Sequence, residues 1–219
     1  MDIQTVIFDY DGTLVWLNIN FNHIRQDIER RLAGYDINFR ALKKLYILEM
    51  IDEVTKRISK KQSYEGSEFY DKALAIVAEH EVMAAKKGRI IPGVKPMLKK
   101  LMKCGIKVAI ITRNCDKAVK IVFPDIKNFS DVYLPRDYVS RVKPHPDHLV
   151  LALEKMGVNN HTYCLMVGDH IMDIEGGQRM GMKTAGVLTG KITRLDFIEA
   201  GADYILDDAT AIPGIIFKE

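Results

Sequence analysis

The spacing of apolar positions changes along the chain, and each change predicts an element. Ile3 to Phe8 is a short apolar run, with the look of a buried strand. From Ile19 to about Gly88 the spacing becomes helical. Ile24, Ile28 and Leu32 recur at that spacing, as do Leu42, Leu45 and Leu48, and then Phe69, Leu74, Val77 and Val82. This stretch carries no proline and predicts about four helices in a small bundle. Asp36 is placed to cap the second helix, and Ser63 or Ser67 the long one.

Beyond Arg89 the pattern alternates between strand and helix. Pro92-Gly93 is a turn, and Val94 to Lys103 predicts a helix stopped at Gly105. Ile106 to Ile111 is a near-continuous apolar run, a buried strand. A short helix follows over Asp116–Val122, then a strand over Val132–Leu134. Pro146 suits the first turn of a helix through Leu149, Leu151, Leu153 and Met156, closed by Gly157. Tyr163–Val167 is the next strand and Ile171–Met180 the next helix; Lys183–Val187 and Tyr204–Leu206 add two strands. Strands alternating with helices imply an α/β class, with a parallel sheet covered on both faces. The core is therefore expected to be discontinuous, residues 1–15 plus 89–219, with a helical module over 16–88 between them. That module leaves directly after the first strand, where it is placed to act as a lid.

Composition narrows the class little. The 219 residues are 47% hydrophobic and 28% charged, ordinary for a globular protein, with a net charge of +3. Lys and Arg are scattered among Asp and Glu, so nucleic acid is not an expected partner. No apolar run approaches the roughly 18 residues that span a bilayer, so no membrane association is expected. Cys104, Cys115 and Cys164 show no C-x-x-C spacing and the first residues lack a basic n-region. Together these suggest reduced thiols in the cytoplasm.

The chemistry gathers at strand ends. The first strand ends in Asp9 and Asp11, whose i, i+2 spacing points both carboxylates to one side in an extended segment. The second ends in Thr112-Arg113-Asn114, and Lys143 opens the segment after the third. The fourth ends in Gly168-Asp169, with Asp173 four residues on, sharing a helix face with Asp169. In a parallel sheet these ends converge on one edge. Several carboxylates, one hydroxyl and one lysine at one place suit phosphoryl transfer. Oxygen ligands suit Mg²⁺, an ammonium neutralises phosphate, and a carboxylate can serve as nucleophile.

Four segments resemble, in order, the motifs of the haloacid dehalogenase-like phosphohydrolases. They are Asp9-Tyr10-Asp11-Gly12-Thr13, the apolar run ending in Thr112, Lys143-Pro144-His145-Pro146, and Gly168-Asp169 with Asp173. The insert resembles the helical cap of the phosphoglycolate phosphatase-like branch. The resemblance implies a Rossmann-like core and Mg²⁺ as cofactor. It implies Asp9 as nucleophile and metal ligand, and Asp11 as general acid/base whose carbonyl also meets the metal. Thr112 and Lys143 would hold the phosphate, with Arg113 beside them as a further candidate contact. Asp169 would bind Mg²⁺, supported by Asp173, and Gly12 would serve the turn.

Asp11 separates the branches. The dehalogenases of this family resemble D-x-Y-G-T and the phosphonate-cleaving members carry Ala there, so retention of Asp11 favours phosphoester chemistry. Trp16-Leu17 replaces the small polar pair common in this branch, and Phe21 stands where sugar phosphomutases carry His. The expected activity is Mg²⁺-dependent hydrolysis of a small phosphomonoester through an aspartyl phosphate, by a monomer or homodimer. The alternatives are a sugar phosphomutase and a catalytically inactive binding protein. Specificity is expected near Asn18–His23, Gly34-Tyr35 and Gln62–Ser67. Other signals are discounted. Gly186–Ile192 is one residue short of a P-loop, but it follows a strand and can still form a loop near the site; Gly176, Gly177 and Gly181 suggest close helix packing, His170 reads as structural, and His148 reads as exposed on its helix.

Overall fold

The computed structural model describes residues 3–35, 37–60 and 63–217. The chain divides into two compact units, Met1–Leu17 with Ala85–Glu219, and Asn18–Ala84. The first unit is a six-stranded sheet. Its strands are β1 (Thr5–Phe8), β4 (Lys107–Ile111), β5 (Val132–Leu134), β6 (Cys164–Gly168), β7 (Lys183–Val187) and β8 (Tyr204–Leu206). The order is β5-β4-β1-β6-β7-β8, and every neighbouring pair is parallel. The fold is α/β and Rossmann-like. β1 lies centrally, paired to β4 through Phe8 and Ile110 and to β6 through Phe8 and Val167.

Both faces of the sheet are buried, which explains the near-continuous apolar runs. On one face Val6, Phe8, Val108, Ile110, Leu165 and Val167 pack with Val94, Leu98 and Leu101 of α4 (Val94–Lys103). On the other, Ile7, Ala109, Ile111 and Met166 pack with Leu149 and Leu153 of α6 (Asp147–Lys155). α5 (Asp116–Val122) and α7 (Ile171–Arg179) also fall where the pattern places them. Pro146 is the N-cap residue of α6 rather than a first-turn residue. At Gly177 a Cβ would meet Thr184 and Met166, so the close packing expected there is present; at Gly181 nothing lies within 4 Å, and its φ of +71° marks a turn after the helix instead.

Three features were not anticipated. α8 (Arg194–Glu199) opens with a capping box between Thr193 and Asp196. α9 (Ile212–Ile216) is short. β2 (Val15–Trp16) and β3 (Arg89–Ile90) form a two-residue antiparallel ribbon, with the Arg89 guanidinium 4.7 Å from the Trp16 ring centre. The unusual Trp16 is thus part of this ribbon.

The second unit is helical. α1 (Phe21–Arg31) is capped by the Asn20 side chain, which accepts the His23 N–H at 3.0 Å. α2 (Ile47–Ser59) and α3 (Ser63–Ala85) follow. Three α-helices stand among the described residues, with 3-10 segments at Ala33–Tyr35 and Phe39–Leu42, where about four helices were expected. Leu42 and Leu45 lie before α2, and their carbonyls accept from Arg25, from Nη1 at 3.3 Å and from Nη2 at 2.6 Å. The expected cap Asp36 and the specificity position Gln62 lie outside the described residues.

Candidate active site

Three strands end one residue before a polar side chain. Asp9 follows β1, Thr112 follows β4 and Asp169 follows β6. Backbone pairing continues past those ends: Asp9 N–H donates to the Val167 carbonyl at 2.8 Å, and Thr112 N–H to the Leu134 carbonyl at 3.1 Å. The sheet itself therefore sets these side chains at its carboxyl edge, beside the central strand, where open α/β sheets bind ligands.

Asp9 is buried, and its Oδ2 accepts from the buried Thr13 hydroxyl at 3.4 Å. Its Oδ1 pairs with the Lys143 ammonium, which also donates to Oδ1 of Asp173 at 2.6 Å. Lys143 and Asp173 are both buried. Burial alone would lower the Lys143 ammonium, but Asp173 and Asp9 outweigh it and hold it above its usual value, so it stays charged. The other Asp173 oxygen accepts the His170 N–H at 3.3 Å, and His170 Nδ1 accepts the Met172 N–H at 3.2 Å. His170 is thus the N-cap of α7, the structural role expected of it.

Asp169 is pushed up strongly, first by burial and then by Asp9, Asp173 and Asp11. Oxygens of Asp9, Asp169 and Asp173 lie within 4.8 Å of one another. Asp11 is half-buried, and its carboxylate stands outside that group; its expected metal contact is through the main-chain carbonyl. Four carboxylates near one ammonium leave excess negative charge. The hard oxygen donors and this excess fit a divalent cation such as Mg²⁺.

Glycines make room for the carboxylates. A Cβ at Gly12 or Gly190 would overlap Asp169, and one at Gly168 would overlap Asp173. Gly12 also has φ +79°, as its turn requires. Thr189 donates its hydroxyl to the Gly12 carbonyl. The loop after β7 therefore reaches the site, as its place after a strand allows, although its sequence is one residue short of a P-loop. Its one readable signal was position, directly after a strand.

Arg113 is half-buried, and its Nη1 donates to the Lys143 carbonyl at 2.9 Å. Thr112 Oγ1 accepts the Asn114 N–H at 3.1 Å. His148, expected on an exposed helix face, has no exposure at all. Its Nδ1 accepts the Lys143 N–H at 3.3 Å, and its Nε2 lies 3.0 Å from the Leu134 carbonyl. Those partners come from outside its helix, so helical periodicity carried no sign of them.

Comparison with known proteins agrees with this fold. The family described as haloacid dehalogenase-like hydrolase matches residues 6–187. Pyrophosphatase PpaX of Bacillus cereus strain AH820 is 31% identical over 219 residues, covering 94% of this chain and 93% of that protein. Among solved structures, a phosphonoacetaldehyde hydrolase-like protein from Oleispira antarctica superposes with a TM-score of 0.73 at 20% identity, over 100% of this chain and 92% of that one. One described as a predicted phosphoglycolate phosphatase, from Haemophilus somnus, gives 0.63 at 20% identity, over 97% of each chain. The chain belongs to the haloacid dehalogenase-like hydrolase family, and it is an enzyme of the phosphatase kind.

Proposed function

We propose that the protein is a Mg²⁺-dependent phosphatase of small phosphorylated metabolites that works through a phosphoryl group carried on Asp9. The observation that supports this most is the buried Asp9–Lys143–Asp173 chain beside Asp169. The Lys143 ammonium holds Oδ1 of Asp9, and Oδ2, which takes only a long hydrogen bond from Thr13, is the oxygen placed to attack phosphorus.

Asp9 attacks, the P–O bond to the leaving group breaks, and Asp11 gives its proton to the departing oxygen. Asp11, now a carboxylate, takes a proton from water. That water attacks the phosphoryl group and frees Asp9 and inorganic phosphate. Lys143 and the Thr112 hydroxyl hold the phosphoryl oxygens throughout. Mg²⁺ held by Asp9, Asp169 and the Asp11 carbonyl, with Asp173 in support, would supply charge neutralisation. Arg113 acts through the Lys143 carbonyl it already binds.

Because the PpaX protein is described as a pyrophosphatase, inorganic pyrophosphate heads the list of substrates to test. Phosphate release is measured from pyrophosphate, p-nitrophenyl phosphate, phosphoglycolate and sugar phosphates, with Mg²⁺ and with chelator. Mg²⁺-dependent release is expected. Asp9→Asn should abolish it with the fold intact, and Asp11→Asn should slow it about 10²- to 10⁴-fold. Turnover at the native rate in Asp9→Asn would remove Asp9 from the nucleophile role. Phosphate moved within a sugar instead of released would establish the mutase.

A further inference from the structure

The Lys143 main chain is gripped from both sides. Arg113 binds its carbonyl, and the Arg113 carbonyl in turn accepts Nη1 of Arg136 at 2.7 Å. His148 binds its N–H. A carbonyl only accepts and a backbone N–H only donates. The imidazole must therefore carry its proton on Nε2, toward Leu134, and present a lone pair on Nδ1 to Lys143. Burial pushes this imidazole down to about 4, so the neutral ring persists at neutral pH.

The neighbouring buried positions of α6 are Leu149, Ala152 and Leu153. A fully buried histidine among them is costly unless both nitrogens are used, and both are. The Leu134 carbonyl that receives Nε2–H also receives the N–H of Thr112. One ring thus joins the two residues read above as phosphate holders.

We propose that His148 is a positioning residue, a neutral imidazole strut that fixes Lys143 relative to Thr112 and thereby aims the Lys143 ammonium at Asp9. Its effect on turnover rests on the phosphatase reading; the strut itself does not.

The test compares His148→Asn, His148→Gln and His148→Leu. Asn places an amide oxygen about where Nδ1 stands and keeps the acceptor for Lys143. Gln reaches toward Leu134 and keeps only the donor. Leu keeps neither. With p-nitrophenyl phosphate and Mg²⁺, kcat should fall roughly 10- to 100-fold in the Leu variant, as expected for a displaced reacting group, with little change in KM. Asn should recover most of the loss and Gln much less. Equal kcat in all three, or Gln recovering more than Asn, would overturn the proposal.

Two measurements hold without turnover. The nitrogen NMR shifts of His148 in the native protein should report an Nε2–H tautomer with a hydrogen-bonded Nδ1; the opposite tautomer or a charged ring at pH 7 overturns the strut. Amine acetylation followed by mass spectrometry should modify Lys143 about tenfold faster in the Leu variant than in the native protein, with Asn restoring protection. Unchanged labelling overturns the strut whether or not any substrate has been found. A native protein that releases no phosphate yet shows both signatures would sink the phosphatase reading and leave the strut standing.

Discussion

At the scale of single residues, His148 shows how a polar group inside a helix–sheet interface ties stability to pH. Its ordinary value is 6.5, and burial lowers it to about 4 in the folded protein. Between those values the unfolded chain binds a proton that the native chain does not. Stability therefore rises with pH across the window, and is lost as pH falls from about 6.5 to about 4. The shift corresponds to about 3 kcal/mol at the acid end. Urea unfolding of the native protein and of His148→Asn at pH 7 and pH 4.5 isolates this group, because the variant has nothing to titrate there. The native protein should lose more stability than the variant over that interval; parallel losses would contradict a neutral buried ring. The burial of His148 is not legible in the sequence because a histidine is buried only where both ring nitrogens find partners, and Leu134 lies 14 residues away. Asp9, Thr112 and Asp169 were legible for the opposite reason. Each directly follows a buried apolar run, and the strand's own hydrogen bonding delivers it to the edge.

At the scale of elements, β1 carries the arrangement. Val6 and Phe8 face one core cluster and Ile7 the other, so four residues tie both layers together. Its last residue, Phe8, is fully buried and directly precedes Asp9. Phe8→Ala should cost about 3–5 kcal/mol, the range for emptying a buried aromatic position. Denaturant unfolding measures it; a loss under about 1 kcal/mol would mean that the core collapses freely around the gap. Such elements were readable because burial on two faces leaves a plain apolar run. The β2–β3 ribbon was not, since two residues carry no period and their pairing spans the whole insert. α8 was missed although Thr193 and Asp196 spell a capping box, because only one of its six residues, Phe197, is buried. Of Leu42, Leu45 and Leu48, read at one helical spacing, only Leu48 lies in α2, and the carbonyls of the other two accept from Arg25 on another helix.

At the scale of the whole molecule, the charge of the site should make stability depend on metal. Asp9, Asp11, Asp169 and Asp173 all belong to the sheet unit, and none to Asn18–Ala84. Burial first, and then the charges of Asp9, Asp173 and Asp11, raise Asp169, so ionising it in the metal-free sheet unit is unfavourable and a divalent cation relieves that cost. An ion binding only the folded state stabilises it by about 2.7 kcal/mol at a hundredfold excess over Kd. For a chain of this length that is roughly 5–10 °C in Tm. Mg²⁺ against chelator should therefore raise the transition of the sheet unit and leave any separate transition of the helical unit where it was. Asp169→Asn removes one ligand while keeping the uncharged form that the metal-free site already favours at neutral pH. Its chelated Tm should equal or exceed that of the native protein, while its gain on adding Mg²⁺ should vanish. Loss of a merely structural side chain would lower both values, so the opposite signs separate a metal ligand from a packing residue. A Mg²⁺ gain that survives the substitution would take Asp169 out of the metal site.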